Sequence, residues 1–143
     1  MVVLDVNILL AAFLAGHPQH AESRGWLTEL LSTDQVVVPD VVWAGLVRIA
    51  TNPRIVNPPA TISEVAAFIA EVRGQPSYRM DVRAMTSPVE VFLAICQAGG
   101  VIGNKVSDAY IAAIAIEHGA SIATWDKDFE AFPVQLSLRP SAE

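Results

Sequence analysis

The sequence contains one cysteine, few cationic residues and no long apolar run. A single cysteine, Cys96, excludes an internal disulfide, and its apolar neighbours predict a buried, unreactive thiol. No apolar stretch approaches the ~18 residues that span a bilayer, and Asp5 interrupts the first apolar run before a signal-peptide core could form. We therefore expect no membrane segment and a location in the cytoplasm.

The shortage of cations bears on nucleic-acid binding. A formal net charge of −6 argues against a general polyanion binder, because affinity for nucleic acid comes mainly from lysine and arginine that neutralise phosphates. RNA is not excluded, since Arg48 and Arg54, followed by Arg73, Arg79 and Arg83, could form a local basic strip. Ordinary solvated charges explain the same arginines equally well.

Apolar residues make up 52% of the 143-residue chain, which is enough for one domain with its own core. Short apolar runs at 2–4, 36–38 and 121–124 predict buried strands, and alternation at 80–84 and 134–138 predicts a half-exposed strand and an edge strand. Helical spacing predicts helices over 6–14, 18–32, 41–50, 61–72, 87–99 and 108–119, and the prolines of 52–59 predict a loop. Alternating strands and helices imply a single α/β domain over residues 1–143, with a mainly parallel central sheet flanked by helices.

Three aspartates fall where such a fold gathers side chains. Asp5 and Asp126 follow apolar runs that predict strands, and Asp108 opens a helical pattern. Ligands of open parallel sheets bind beyond the carboxyl ends of the strands. Carboxylates a few ångströms apart repel one another, so the cluster requires a cation or a proton. Taken singly, each aspartate also has a turn or helix-cap explanation.

The order of several short motifs resembles one known family, the PIN-domain ribonucleases, and within it the VapC toxins of type II toxin–antitoxin systems. These motifs are Leu4-Asp5-Val6-Asn7, Arg48-Ile49-Ala50-Thr51-Asn52-Pro53-Arg54-Ile55, Ser107-Asp108-Ala109 and Thr124-Trp125-Asp126-Lys127-Asp128-Phe129. The resemblance runs along the whole chain. It implies a single PIN-like, Rossmann-like domain.

The resemblance also implies a site and an activity. Asp5, Asp108 and Asp126 would bind Mg²⁺, or alternatively Mn²⁺, and act in the hydrolysis of RNA phosphodiester bonds by an endoribonuclease. Hydrogen-bonding neighbours could support them, although helix capping explains Ser107 equally well. These possible supporting residues are Asn7, Ser107, Thr124 and Asp128.

The sequence departs from the family pattern in one place. Many members carry a glutamate on the helix after the second strand, whereas residues 41–48 contain no carboxylate here. Asp40 or Asp128 could take its place, but Asp40 also suits a helix N-terminus. Whether one or two ions bind therefore stays open.

Partners follow from the resemblance. It implies a cognate VapB-type antitoxin, an RNA substrate and a homodimer, while no motif identifies the RNA, its cleavage site or the antitoxin. The apolar helix faces of Leu9, Phe13, Leu46 and Ile49 could form an antitoxin groove, a dimer seam or part of the core.

Two other functions remain compatible with the sequence. A PIN-like module without the full acidic set could bind protein or RNA and cleave nothing. An aspartyl phosphatase of the haloacid dehalogenase type would also place an aspartate after its first strand. That chemistry needs a second carboxylate two residues later, where Asn7 stands.

The histidines and tryptophans have mainly structural interpretations. None of His17, His20 and His118 follows a predicted strand, so we expect no catalytic base among them. Trp26 and Trp43 have the helical apolar spacing of core residues. Only Trp125, inside the acidic loop, is placed to meet a ligand.

Overall fold

The short apolar runs form a parallel three-stranded sheet. A computed structural model describes residues 1–79 and 88–137 of the chain. Strands β1 (Val2–Leu4), β2 (Val36–Val37) and β3 (Ser121–Ala123) are ordered β2-β1-β3, and β1 pairs in parallel with both neighbours. The side chains of β1 are fully buried, as expected of the central strand in a sheet covered on both faces.

Helices cover the sheet, as the α/β prediction requires. Within the described ranges they are α1 (Val6–Phe13), α2 (His20–Thr33), α3 (Asp40–Ala50), α4 (Ile62–Arg73), α5 (Val89–Gly99) and α6 (Lys105–His118), and a 3₁₀ helix (Lys127–Ala131) follows β3. Helix α1 packs on α2 and α3, α5 packs on α6, and α6 packs on β1 and β3. None of the described helices is long and apolar enough to cross a bilayer.

Local sequence signals explain where α4 begins and where α6 ends. Thr61 caps α4 by accepting a hydrogen bond from the Glu64 N–H at 3.1 Å, and the Thr61 hydroxyl donates to Glu64 Oε1 at 3.0 Å. Gly119 ends α6 with a left-handed φ of 60°, a conformation that costs glycine least. The capping box and the glycine stop are therefore confirmed.

Small residues bring α6 close to the sheet. Ala109, Ala112, Ala113 and Ala115 are fully buried, so the helix backbone approaches β1 and β3 without a bulky side chain between them. This close packing fixes the position of Asp108 relative to the sheet, because Asp108 lies in the first turn of the same helix.

Several boundaries differ from the sequence prediction. Helix α6 begins at Lys105 with Asn104 as its N-cap, so Ser107 lies inside the helix and the capping interpretation of Ser107 is wrong. Helix α2 begins at His20, and Pro18 precedes it instead of occupying its first turn. Cys96 is half-buried, where a fully buried thiol was expected.

The predicted outer strands are reduced or undescribed. Leu136 makes an isolated parallel bridge to Ile122 at the β3 edge, where an edge strand over 134–138 was predicted, and residue 138 lies outside the described residues. The predicted strand at 80–84 and the helix start at residue 87 also lie outside them.

Candidate metal centre

Asp5 stands where β1 passes directly into α1. Its backbone is extended, with φ −84° and ψ 159°, which suits the last residue before a helix. Asp5 Oδ1 accepts a hydrogen bond from the Val6 N–H at 2.7 Å. The side chain is only 4% exposed, so one of its oxygens is already occupied by the helix end and the group is largely removed from water.

The second oxygen of Asp5 is held by side chains from both ends of the chain. The Thr124 hydroxyl donates to Asp5 Oδ2 at 2.8 Å, and Asn7 Nδ2 donates to the same oxygen at 3.1 Å. Asn7 also donates to Thr124 Oγ1 at 3.1 Å and accepts from the Trp125 N–H at 3.2 Å. Thr124 Oγ1 accepts from the Asp126 N–H at 2.9 Å. Asn7 and Thr124 therefore tie the β1 end to the β3 end.

Asp126 begins the acidic loop after β3. Its Oδ1 accepts from the Asp128 N–H at 2.8 Å and so caps the 3₁₀ helix. Phe129, in the same short helix, is fully buried and anchors the loop in the core. The turn explanation for Asp126 is thus correct, and it does not exclude a ligand role, because Asp126 Oδ2 takes no part in this cap.

The pKa of Asp108 depends on the charges of the other three aspartates in this region. Burial, together with the negative charges of Asp5, Asp126 and Asp128, raises the pKa of Asp108 to about 6, and the charge of Lys105 opposes that increase. The four aspartates come from three separate segments of the sequence, since Asp126 and Asp128 share one loop. The fold therefore gathers them within electrostatic range of one another.

Burial also raises the pKa of Asp5. Hydrogen bonds from Thr124 and Val6 oppose that increase, and the negative charge of Asp126 adds to it. A bound cation would favour the ionised forms of Asp5 and Asp108, because its charge offsets both the cost of desolvation and the repulsion between the carboxylates.

The carboxylates do not form a closed coordination shell. Across residues 1–79 and 88–137, no three histidine, cysteine or carboxylate side chains converge closely enough to hold an ion by themselves. Mg²⁺ does not require such a cage, because it commonly binds one or two carboxylates, several waters and a substrate phosphate. The hard oxygen donors and the mutual repulsion fit a water-rich Mg²⁺ site of this kind.

The candidate supporting and substitute acids are placed differently from one another. Asp128 is 56% exposed and lies 3.7 Å from Lys105 Nζ, measured from its Oδ2. Ser107 is exposed on α6, and Asp40 is exposed at the first residue of α3. Asp40 is not among the charges that act on Asp108. Asp128 is therefore the better substitute for the missing glutamate.

Gly45 lies on the helix where the family pattern carries that glutamate. A Cβ at this position would lie 3.6 Å from the Cγ2 atom of Val6, the residue after Asp5. Helix α3 thus reaches the neighbourhood of Asp5 at a residue without a side chain. The contact adds no carboxylate to the site.

Lys105 was missed by sequence reasoning. The only signal was its position three residues before Asp108, which places the two residues on one face once the helix is known to start at Lys105. A helix start predicted at Asp108 hides that relation.

The remaining predicted residues lie mainly in the core. Trp26 and Trp43 are buried, as predicted. The indole N–H of Trp125 donates to Ser23 Oγ at 2.9 Å, and its ring packs edge-on against Trp26 with centroids 5.7 Å apart. Trp125 therefore fixes the acidic loop to α2, and the prediction that it is placed for a ligand finds no support in these contacts.

The structure also places the predicted apolar helix faces in or against the core, and it gives His17 and His20 local contacts. Leu9 and Leu46 are fully buried and belong to the core, so they cannot line a groove, while Phe13 and Ile49 are half-buried. His17 Nδ1 accepts from the Gln19 N–H at 3.1 Å, and His20 Nδ1 lies 2.8 Å from the Ala11 carbonyl oxygen. Both contacts are local and structural.

Comparisons with known proteins identify the family of the chain. The family model of the PIN domain matches residues 2–134. The chain is 35% identical to Ribonuclease VapC31 of Mycobacterium tuberculosis over 141 residues, which cover 98% of this chain and 99% of that protein. It is 34% identical to Ribonuclease VapC25 of the same organism over 145 residues, with 98% and 99% covered.

Two solved structures share the fold. A chain from the crystal structure of VapBC2 from Rickettsia felis, bound to a DNA fragment, has a TM-score of 0.62 and 19% identity, with 95% of this chain and 96% of that chain covered. A chain of FitAcB from Neisseria gonorrhoeae has a TM-score of 0.59 and 20% identity, with the same coverage. At these identities the likeness concerns the fold alone. From the family match and the nearly full-length relatives, the chain belongs to the PIN-domain family and, within it, to the VapC ribonucleases.

Proposed function

We propose that this protein is a Mg²⁺-dependent endoribonuclease, the toxin of a type II toxin–antitoxin pair, with Asp5, Asp108 and Asp126 as its catalytic, ion-binding carboxylates. Mn²⁺ is the alternative ion. The observation that supports the proposal most is that the charges of Asp5, Asp126 and Asp128 all raise the pKa of Asp108. Asp5 and Asp126 follow β1 and β3 at the carboxyl edge of the sheet, where ligands of such folds bind. Repulsion between carboxylates does not stabilise a fold. A bound cation would explain why these aspartates lie within electrostatic range of one another.

The chain's own residues prepare the site. Thr124 and Asn7 hold Asp5 Oδ2 by hydrogen bonds that stabilise the ionised form and fix its direction. Thr124 also accepts a hydrogen bond from the Asp126 N–H, and Asn7 accepts one from the Trp125 N–H. These bonds position the backbone around Asp126. A bound divalent ion would supply activated water and would offset the charge that develops on the transferred phosphoryl group.

Asp108 makes ion binding sensitive to pH. With a pKa of about 6 it retains a proton in part of the population near that pH. Ion binding requires the ionised carboxylate, so binding should release that proton. The role we assign to Asp108 is therefore a ligand that exchanges a proton for a cation.

The test is cleavage of RNA by the purified protein with Mg²⁺ or Mn²⁺. Asp5→Asn, Asp108→Asn and Asp126→Asn should each lower the rate by more than the ~10–100-fold that loss of a supporting partner costs. Asp40→Asn is the matched control, because Asp40 is exposed and does not act on Asp108. Full activity in the three site variants would overturn the proposal.

A non-catalytic binding module is the second candidate. The absence of a carboxylate over residues 41–48, in the helix after the second strand, favours it. Calorimetry separates the two, because a module without catalysis has no reason to bind Mg²⁺. The phosphatase alternative loses its general acid, since the Asn7 amide that occupies that position is engaged with Asp5, Thr124 and Trp125.

The proposed partners are a cognate VapB-type antitoxin, RNA and a second copy of the chain. The relatives named Ribonuclease VapC support the pairing, and so do the fold neighbours VapBC2 and FitAcB. Co-expression with the protein encoded next to it should yield a stable complex that suppresses RNA cleavage. A co-expressed neighbour that neither binds nor inhibits would contradict this partner.

A further inference from the structure

We call Asp5, Asp108, Asp126 and Asp128 the acidic centre. The chain has only two lysines, and both lie close in sequence to one of these aspartates. Lys105 is the first residue of α6, three residues before Asp108, and Lys127 directly follows Asp126. All other cationic side chains are arginines. Lysine presents a compact, mobile point charge, whereas arginine presents a rigid fork. The placement therefore differs in chemistry from the rest of the cationic surface.

Lys105 has direct contact with the acidic centre. Its Nζ lies 3.7 Å from Asp128 Oδ2, and its charge is the cationic influence that lowers the pKa of Asp108. The Lys105 and Asp128 side chains are 63% and 56% exposed. A charge-assisted hydrogen bond would be about 2.7–2.9 Å long, so this ion pair is loose. Exposed pairs of this kind contribute little to stability, and Lys105 can exchange its partner at small cost.

The acidic centre needs such a cation if RNA is to approach it. The protein carries a net charge of −6, and the negative charges of Asp5, Asp126 and Asp128 all act on Asp108 at this site. An ion bound by the carboxylates offsets part of that repulsion. A neighbouring phosphate of the same strand would still be repelled by Asp128, whose side chain is 56% exposed.

We propose that Lys105 is a substrate-binding residue that leaves Asp128 and pairs with a backbone phosphate of the RNA adjacent to the one being cleaved. This inference rests on the proposed ribonuclease function. Lys105 acts there as a flexible anchor for the strand at the rim of the acidic centre. Lys127 follows Asp126 in sequence but does not act on the charge of Asp108, so it serves as the matched comparison.

The experiment compares Lys105→Gln, Lys105→Arg and Lys127→Gln with the unmodified protein. Cleavage of a fluorescein-labelled stem-loop RNA is measured with Mg²⁺ over a series of KCl concentrations. Loss of a charged hydrogen bond should raise KM for Lys105→Gln roughly tenfold, with kcat nearly unchanged. The slope of log KM against log salt should fall by about 0.7, the value for one phosphate contact on a single strand. Lys105→Arg should restore most of both, and Lys127→Gln should change them less.

Other outcomes overturn the inference. Equal effects of Lys105→Gln and Lys127→Gln would indicate a general charge effect. A change only in thermal stability or Mg²⁺ affinity would make Lys105 a counter-ion of the aspartates.

Failure of the proposed function is recognised separately. If the unmodified protein does not cleave RNA with either ion, the ribonuclease proposal fails. Fluorescence anisotropy of the same labelled RNA then decides the role of Lys105 by the same comparison of binding and salt slope. Unaltered binding in Lys105→Gln would reject it.

Discussion

At the scale of single residues, the site depends on hydrogen bonds that hold a buried carboxylate. Asp5 is nearly removed from water, and its two oxygens receive hydrogen bonds from Val6, Thr124 and Asn7. Sequence reasoning selected Asn7 and Thr124 because short polar residues stood beside aspartates. It could not show that they contact each other, because 117 residues separate them.

Thr124→Val should damage both stability and activity. The substitution keeps the shape of the side chain and removes the hydroxyl that donates to Asp5 and accepts from the Asp126 N–H. Leaving buried partners unsatisfied should cost about 1–3 kcal/mol, measured by urea unfolding, and cleavage should fall by roughly 10–100-fold.

Thr124→Ser and Thr28→Val are the controls. The first keeps the hydroxyl and should retain most of the activity. The second removes an exposed hydroxyl that donates to the Arg24 carbonyl, so it should change stability little. An equal loss in Thr28→Val and Thr124→Val would refute the special role of Thr124.

At the scale of elements, most helices and strands were predictable, and their ends were less so. The strand at Val2–Leu4 and the stop of α6 at Gly119 follow directly from apolar runs and a glycine. The start of α6 was missed because residues 105–107 carry no apolar stripe, so the helix was read from Asp108 onward. Packing on the sheet decides its true start, and no local signal reports that packing.

Helix α3 also shows what local patterns leave undetermined. Its apolar face suits a groove, a dimer seam or the core equally well, and only the structure shows Leu46 fully buried. Its Gly45 faces α1 near Val6. Glycine is unfavourable in the interior of a helix. Whether close packing of α3 on α1 requires glycine at position 45 can therefore be tested.

Gly45→Ala should be tolerated and should stabilise the protein by up to ~1 kcal/mol in urea unfolding. The new Cβ would lie 3.6 Å from Val6 Cγ2, an ordinary contact distance. Gly25→Ala, in α2 with nothing within 4 Å of its Cβ, is the reference for helix propensity alone. A loss of stability in Gly45→Ala, with a gain in Gly25→Ala, would show that α1 and α3 have no room for any side chain there.

At the scale of the whole molecule, strand order creates the acidic centre. Because β1 lies between β2 and β3, the residues after β1 and β3 become neighbours, and α6 brings Asp108 to them. This convergence was predictable from the rule for parallel sheets. The spacing of the carboxylates and the position of Lys105 were not, since both depend on where α6 begins and how it packs.

The gathered charge has a definite consequence for stability. The pKa of Asp108 rises from 3.8 in the unfolded chain to about 6 in the folded, ion-free protein. Between these values the folded state holds a proton that the unfolded state has lost, so stability falls as pH rises through that window. The cost is absent below the unfolded pKa and complete above the folded one. Asp5 contributes in the same direction, because its pKa is also raised.

Thermal unfolding from about pH 4 to about pH 7, with a chelator or with Mg²⁺, tests this account most directly. We predict that Mg²⁺ raises the Tm of the unmodified protein and of Asp40→Asn most strongly near neutral pH. Asp108→Asn should unfold at a higher temperature without the ion, with a flatter pH dependence and a smaller response to Mg²⁺. An unchanged pH profile and an unchanged Mg²⁺ response in Asp108→Asn would contradict the claim that these aspartates share one cation.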